Sequence, residues 1–226
     1  MVFREVVMEA PSPAAMGAFY GGALELPIVA ESDSEVAVRA GVTTLRFRRA
    51  APGAAPTYHF ALRAPGDQFS EAKAWLAGRT ELVRQDDQDE FEWDFWGARA
   101  VYAHDPAGNI IELMSFPELS PFSDGPFRAG SLVGLAELGL PVADPRATAA
   151  RLADTFGIGL WDRDDVTADG LTPVGEQGAT LIVTPISRKW LFGEAASDHP
   201  LEVVLGDVRE GSLEFADHPY RIAGVV

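Results

Sequence analysis

Residues 101–114 place a carboxylate where a strand should be apolar. Two apolar runs flank Asp105-Pro106-Ala107-Gly108-Asn109. Pro106 fixes φ at the first corner and Gly108 or Asn109 takes positive φ, so the stretch reads as strand, tight turn, strand. In the second strand Ile111 and Leu113 face one side, and Ile110, Glu112 and Met114 face the other. Glu112 then sits among apolar neighbours, where a carboxylate needs a cation, a donor network or a proton. On the preceding strand Tyr102 and His104 are candidates to donate or accept a proton. Trp93, Phe95 and Trp96 suit a pocket wall, a sheet core or a dimer contact equally well. His59 stands on a predicted strand, as a core histidine or as a ligand.

The elements that must position these groups follow a repeat. The first unit has a strand over 4–10, a helix over 13–24, and strands over 27–31, 35–40 and 43–49. Ser12 is its N-cap and Pro13 its first helical residue. The second unit has a strand over 57–63, a helix over 70–82 capped by Ser70, and strands over 91–96, 99–103 and 110–116. Residues 118–130, rich in Pro, Gly and Ser, read as a linker. The pattern restarts beyond it. Glu137 precedes Asp144-Pro145 by the seven residues that separate Glu5 from Ser12-Pro13. This third unit has a strand over 132–142, a helix ending near Phe156, and strands over 159–163, 171–175 and 179–185. Strands over 200–205 and 220–226 are remnants of a fourth unit with no room for its helix. Such self-similarity is strong evidence about architecture. The expected fold is α+β, with paired βαβββ units forming a curled, cupped mixed sheet. A complete domain spans 1–117, and a truncated second domain of the same type spans 131–226.

Composition narrows the function. The 226 residues are 47% hydrophobic and 23% charged, which is globular. No apolar run approaches a membrane span of about 20 residues, and no signal-peptide pattern is present. The absence of cysteine excludes disulfides, thiolate metal sites and a cysteine nucleophile, and fits a cytoplasmic protein. A net charge of −16 opposes nucleic-acid binding. The acidic run Asp86-Asp87-Gln88-Asp89-Glu90 fits no calcium-loop spacing and reads as a solvated loop. The expected partner is a small molecule, and the expected state a monomer or homodimer.

The paired units, the Phe19-Tyr20-x-x-x-Leu24-x-Leu26 helix end and Tyr102-x-x-Asp105-Pro106-x-Gly108-Asn109-x-x-Glu112-Leu113 resemble the vicinal oxygen chelate superfamily. That group includes glyoxalase I, bleomycin and fosfomycin resistance proteins and extradiol dioxygenases. The likeness covers residues 3–116 well and 131–190 more weakly. It implies two units curled around one divalent metal, with ligands from the first strand of each unit and the last strand of one or both. Carried over by position, the ligands are Glu5, His59 and Glu112. Arg46 occupies the remaining position, where its guanidinium cannot ligate a metal and would instead contact substrate. One imidazole and two carboxylates suit Fe, Mn, Zn or Ni.

The resemblance leaves two functional classes. One is a metal-dependent enzyme acting on a small oxygenated substrate, with Tyr102 or His104 as proton carrier and Trp93 and Trp96 against the substrate. The extradiol signature histidine is missing upstream of Tyr102, which demotes ring cleavage. The other class is a metal-free binding protein of the bleomycin-resistance type, in which Arg46 pairs with Glu112. Glu137 matches Glu5 by repeat position but is read as structural. The third unit could also replace a partner chain.

Overall fold

The computed structural model describes every residue except 120, 122, 124, 162–169 and 194. The first unit comprises β1 (Val2–Ala10), α1 (Pro13–Met16, continued as a π-helix over Gly17–Ala23), β2 (Ile28–Glu31), β3 (Glu35–Ala40) and β4 (Thr43–Arg49). The second comprises β5 (His59–Arg63), α2 (Phe69–Ala77), β6 (Phe91–Trp93), β7 (Ala98–His104) and β8 (Ile110–Ser115). The third has β9 (Gly134–Val142), α3 (Pro145–Phe156), β10 (Thr172–Glu176) and β11 (Ala179–Pro185). β12 (Leu201–Gly206), β13 (Gly211–Glu214) and β14 (Tyr220–Val225) form the fourth. The expected architecture of βαβββ units in curled sheets is present, and the last unit lacks a helix among the described residues. Residues 162–163 of the expected strand 159–163, and 120, 122 and 124 of the expected linker, lie outside the described residues.

The local signals act as expected at two helix starts. Ser12 Oγ accepts from Ala15 N at 3.2 Å, and Asp144 Oδ1 accepts from Ala147 N at 2.9 Å. α2 differs: it starts one residue before Ser70, after Gln68, which gives it no side-chain cap, and it stops at Gly78.

The strands form two seven-stranded sheets. The first sheet runs β13-β14-β12-β1-β4-β3-β2, and the second β10-β11-β9-β5-β8-β7-β6. Unit one therefore shares a sheet with unit four, and unit two with unit three. β1 lies antiparallel to β12, and β5 antiparallel to β9. This corrects the expectation that units one and two curl around one site. Hydrophobic periodicity specifies each unit, but the first strand of every unit offers a similar free edge, so periodicity does not choose its partner. Each sheet draws strands from both sides of residues 118–130.

Alternation decides the faces. Val6, Met8, Leu45 and Phe47 of the first sheet join Phe60, Leu62, Ile111, Leu113, Leu138 and Leu140 of the second in one core. Each such side chain contributes about 1.5–3 kcal/mol through burial. The other face of each sheet is the concave one, and there the two sheets diverge. β4 alternates, with Arg46, Arg48 and Arg49 less buried than Leu45 and Phe47, whereas β8 and β9 are buried on both faces.

Candidate metal centre in the second sheet

Register builds the site. Ala61 on β5 is paired with Glu112 on β8 and with Glu137 on β9. Residues side by side across a sheet point to the same face, as do residues two apart on one strand. Glu112, Glu137 and His59 therefore project together into the concave side, and the small Ala61 between them leaves space. Tyr102 on β7 continues the row beyond Glu112. A register shift beside Ala61 sets Ala136 as an extra residue in β9. Such bulges re-aim neighbouring side chains, and this one turns Glu137 inward.

The turn that places Glu112 is tied from several sides. Asp105 Oδ1 accepts from Ala107 N at 2.9 Å and Asn109 N at 3.0 Å. Tyr20 Oη donates to Asp105 Oδ2 at 2.8 Å, and Tyr58 N donates to Asn109 Oδ1 at 2.8 Å. Gly108 takes φ 83°, the left-handed conformation that glycine tolerates.

Ligand atoms of His59, Glu112 and Glu137 all lie within 4.8 Å of one another. His59 Nε2 is 3.5 Å from Glu112 Oε2, and the two side chains are 10% and 3% exposed. Tyr102 Oη donates to Glu112 Oε1 at 2.7 Å and accepts from Trp93 Nε1 at 3.0 Å. His59 Nδ1 and Glu137 Oε1 are buried with no hydrogen-bond partner. Burial pushes Glu112 up to about 8, against the pull of the Tyr102 hydroxyl. Burial, then the charge of Glu112, raises Glu137. Burial lowers His59 to about 4, so its imidazole is neutral at pH 7. Tyr102 is raised by burial first and by Glu112 second, so its hydroxyl stays protonated. An imidazole and two carboxylates converge here with two orphaned polar atoms and, among the described residues, no protein cation beside the carboxylates, a donor set that fits a divalent metal.

The triad opens into a cavity of about 420 Å³, lined also by Trp93, Trp96, Tyr102, Leu171, Ile182 and residues 188–191. Trp190 lies 4.9 Å from His59, ring centre to ring centre, and Phe192 5.0 Å from Tyr102. Trp93 and Trp96 thus stand where a pocket wall was expected. Phe95 is 41% exposed and instead packs on Trp161.

Two expected members belong elsewhere. Glu5 lies in the first sheet, where Arg46 Nε donates to its Oε1 at 2.8 Å. The pairing of unit one with unit four, rather than with unit two, separates Glu5 from His59 and Glu112. Arg46 pairs with Glu5 and Glu35, not with Glu112, which removes the contact on which the metal-free reading relied. His104 is exposed at the end of β7 and does not line the cavity. Glu137 is the member read as structural from the sequence. Its signal was the seven-residue spacing to Asp144 shared with Glu5, but the pairing of β9 with β5 was needed to interpret it.

The comparisons with known proteins agree with this architecture. Residues 5–114 match the family model of a glyoxalase-like domain. A Bacillus subtilis protein provisionally described as a dioxygenase is similar in structure, with TM-score 0.64, 17% identity, and 99% of this chain and 85% of that chain covered. Glyoxalase I from Zea mays is similar with TM-score 0.55, 12% identity, and 99% and 92% covered. Identities this low show the fold alone. A search of curated proteins finds no match. Residues 5–114 are thus similar to a glyoxalase-like domain, and the chain shares the fold of these two structures.

Proposed function

We propose that the protein is a divalent-metal-dependent enzyme of the glyoxalase-like class acting on a small oxygenated molecule, with His59, Glu112 and Glu137 as the metal ligands. The observation that carries this reading is the convergence of three ligand atoms within 4.8 Å on the floor of a cavity. Two buried carboxylates with no protein cation beside them among the described residues are costly unless protonated or paired. Fe, Mn, Zn and Ni are all compatible with the donor set. A metal bound here supplies a Lewis acid and a template for two vicinal oxygens.

The chain's own residues do the rest. Ile182 lines the cavity from the last strand of unit three, the position from which a fourth ligand would come, so among the described residues the protein donors number three. Tyr102 holds Glu112 through a hydroxyl that remains protonated, which makes it a donor and not a base. Its other partner, the Trp93 indole, fixes that orientation. Trp190 and Phe192 cover the floor and limit water entry. His104, outside the cavity, takes no part.

The test is metal analysis of protein purified without chelators, alongside His59→Ala. About one metal per chain is expected in the parent and loss of it in the variant. Parent protein that holds no metal, and whose melting temperature does not move with added Mn, Fe, Zn or Ni, would overturn the reading.

A further inference from the structure

The mouth of the same cavity carries chemistry that metal ligation does not use. Between β11 and β12 the chain folds back on itself. Ser187 N donates to Ala196 O at 2.6 Å, and Ala196 N donates to Arg188 O at 2.7 Å. Ser187 and Phe192 are held at φ 72° and 62°, conformations that are costly for non-glycine residues and persist only when surroundings impose them. Gly193 is pressed against Ile110, where a Cβ would come within 2.1 Å of Cδ1. The segment is thus shaped by its packing, and it presents Arg188, Lys189 and Trp190 to the cavity.

Arg188 Nη1 donates to Lys189 O at 2.9 Å, and among the described residues neither Arg188 nor Lys189 has an acidic partner; Arg39, Arg49, Arg128, Arg151 and Arg209 share that lack, but of these cations only Arg188 and Lys189 line this cavity. In a chain with 34 acidic and 18 basic residues, two adjacent cations that line one cavity and have no carboxylate partner among the described residues suit an anion brought from outside. The walls are flat. Trp96 is stacked on Trp161 at 5.1 Å with 7° between planes, and Trp190 lies over His59. Rigid indole surfaces favour planar π-systems over puckered rings.

We propose that this rim selects a planar aromatic carboxylate. The carboxylate pairs with Arg188 and Lys189 at the mouth. The ring lies along Trp96 and Trp190, and its oxygen substituents point to His59, Glu112 and Glu137. The last clause rests on the metal-dependent reading of the triad; the pairing at the rim does not.

The experiment is calorimetric titration with benzoate, its neutral isostere benzamide and non-planar cyclohexanecarboxylate. It is run on the metal-loaded protein and on protein stripped by chelator. Benzoate is expected to bind about tenfold or more tighter than benzamide, the ratio that a charge-assisted pair worth about 1.4 kcal/mol produces. Cyclohexanecarboxylate falls several-fold below benzoate. In the double variant Arg188→Gln/Lys189→Gln the benzoate advantage disappears and metal content is unchanged; Arg188→Lys retains part of it. Equal binding of benzoate and benzamide in the parent overturns the inference, as does failure of benzoate to bind. An advantage that survives the double variant also overturns it, because the carboxylate is then captured elsewhere, the metal included. A rim-dependent preference in protein that never binds metal sinks the metal reading and leaves this one standing. Metal binding without the preference does the reverse.

Discussion

Glu5, Arg46, Glu202 and Ala223 in the first sheet stand at the repeat positions that His59, Glu112, Glu137 and Ile182 occupy in the second. Val7 is paired with both Arg46 and Glu202, as Ala61 is with Glu112 and Glu137. Each sheet also carries a bulge at this junction, but on opposite strands: Arg4 is the extra residue beside Glu5 on β1, and Ala136 the one beside Glu137 on β9. Each set lines a cavity of about 400 Å³ in its own sheet. The difference is the source of positive charge. In the first sheet Arg46 bonds Glu5 and Glu35, and Arg48 bonds Glu202 at 2.8 Å. The carboxylates are neutralised by the protein and stay partly solvated. In the second sheet a carboxylate replaces Arg46, aromatic residues replace solvent, and no protein cation touches Glu112 or Glu137 among the described residues. One scaffold thus gives a closed ion-pair network on one side and, on the other, buried carboxyls with no cation beside them among the described residues.

Exchanging that single position breaks the comparison most directly. Glu112→Arg gives the second sheet the first sheet's residue, and Glu5→Ala removes the ligand that the sequence pointed to. The first variant is expected to lose bound metal outright, a fall of at least about a hundredfold in affinity, the scale at which even supporting groups around a metal act. The second is expected to keep the parent's metal content. Metal analysis of the pair decides between the sets, and metal loss in Glu5→Ala would restore Glu5 as a ligand.

What was legible in the sequence follows the same line. Strand limits such as 43–49 and 179–185 were readable because β4 and β11 sit between clear turn residues, and Asp144-Pro145 marked α3 by its cap. Glu112 was legible as a carboxylate inside a strand. β13 was missed because Gly211–Glu214 carries only Leu213 as a buried apolar residue. The pairing of sheets was not legible, because β1, β5, β9 and β12 carry equivalent edges. That one ambiguity placed Glu5, in place of Glu137, beside His59 and Glu112. A cue did exist: β8 and β9 are apolar on both faces around their glutamates, while β4 alternates with arginine. A strand apolar on both faces is covered on both, so Glu112 and Glu137 belonged to one buried cup and Arg46 to an open one.

The pH dependence of metal-free protein sharpens the contrast in charge. Glu112 is raised to about 8 in the fold from an ordinary value near 4.5, so its protonated form stabilises the fold fully below 4.5, and this contribution fades as pH rises towards 8. His59 is lowered from 6.5 to about 4, so its contribution is complete above 6.5 and is lost as pH falls to 4. The two slopes oppose one another between about 4.5 and 6.5, where the raised Glu137 adds to the Glu112 side. Above 6.5 the His59 contribution is complete and both carboxyl slopes act in the same direction. Chelated protein is expected to lose at least about 1.4 kcal/mol per pH unit from 6.5 to 8. Denaturant titrations across that range should show the loss, and Glu112→Gln should make it shallower. Metal should abolish or reverse it, since ligation needs the deprotonated carboxylates. A flat profile in chelated parent protein would mean that the buried carboxylates find a cation within the chain.

Arg46→Ala tests the first sheet alone. It leaves Glu5 and Glu35 facing each other without their shared cation. Arg46 is 22% exposed and its partners are 32% and 30% exposed, so solvent screens much of the repulsion. A loss of about 1–2 kcal/mol in unfolding free energy is expected, between the values for exposed and buried pairs. Metal content should be untouched. If metal is lost with Arg46, the two cups are coupled and the comparison of independent sites fails.

Tyr102→Phe has the smallest expected effect on stability and the finest on chemistry. It removes the hydroxyl that donates to Glu112 Oε1 at 2.7 Å and accepts from Trp93 Nε1 at 3.0 Å. Ala37 stands at the corresponding position of the first sheet, beside Arg46, and no such donor is present there. The stability cost is about 1 kcal/mol, that of one hydrogen bond and a partner left dry. The hydroxyl favours the carboxylate form of Glu112, so without it Glu112 rises further and the alkaline loss of chelated protein moves to higher pH. Metal affinity at pH 7 falls for the same reason, because a larger share of the variant must release a proton before it can bind. Measured affinities for parent and variant should therefore converge as pH is raised past 9. A deficit independent of pH would mean that Tyr102 positions Glu112 sterically, without tuning its charge.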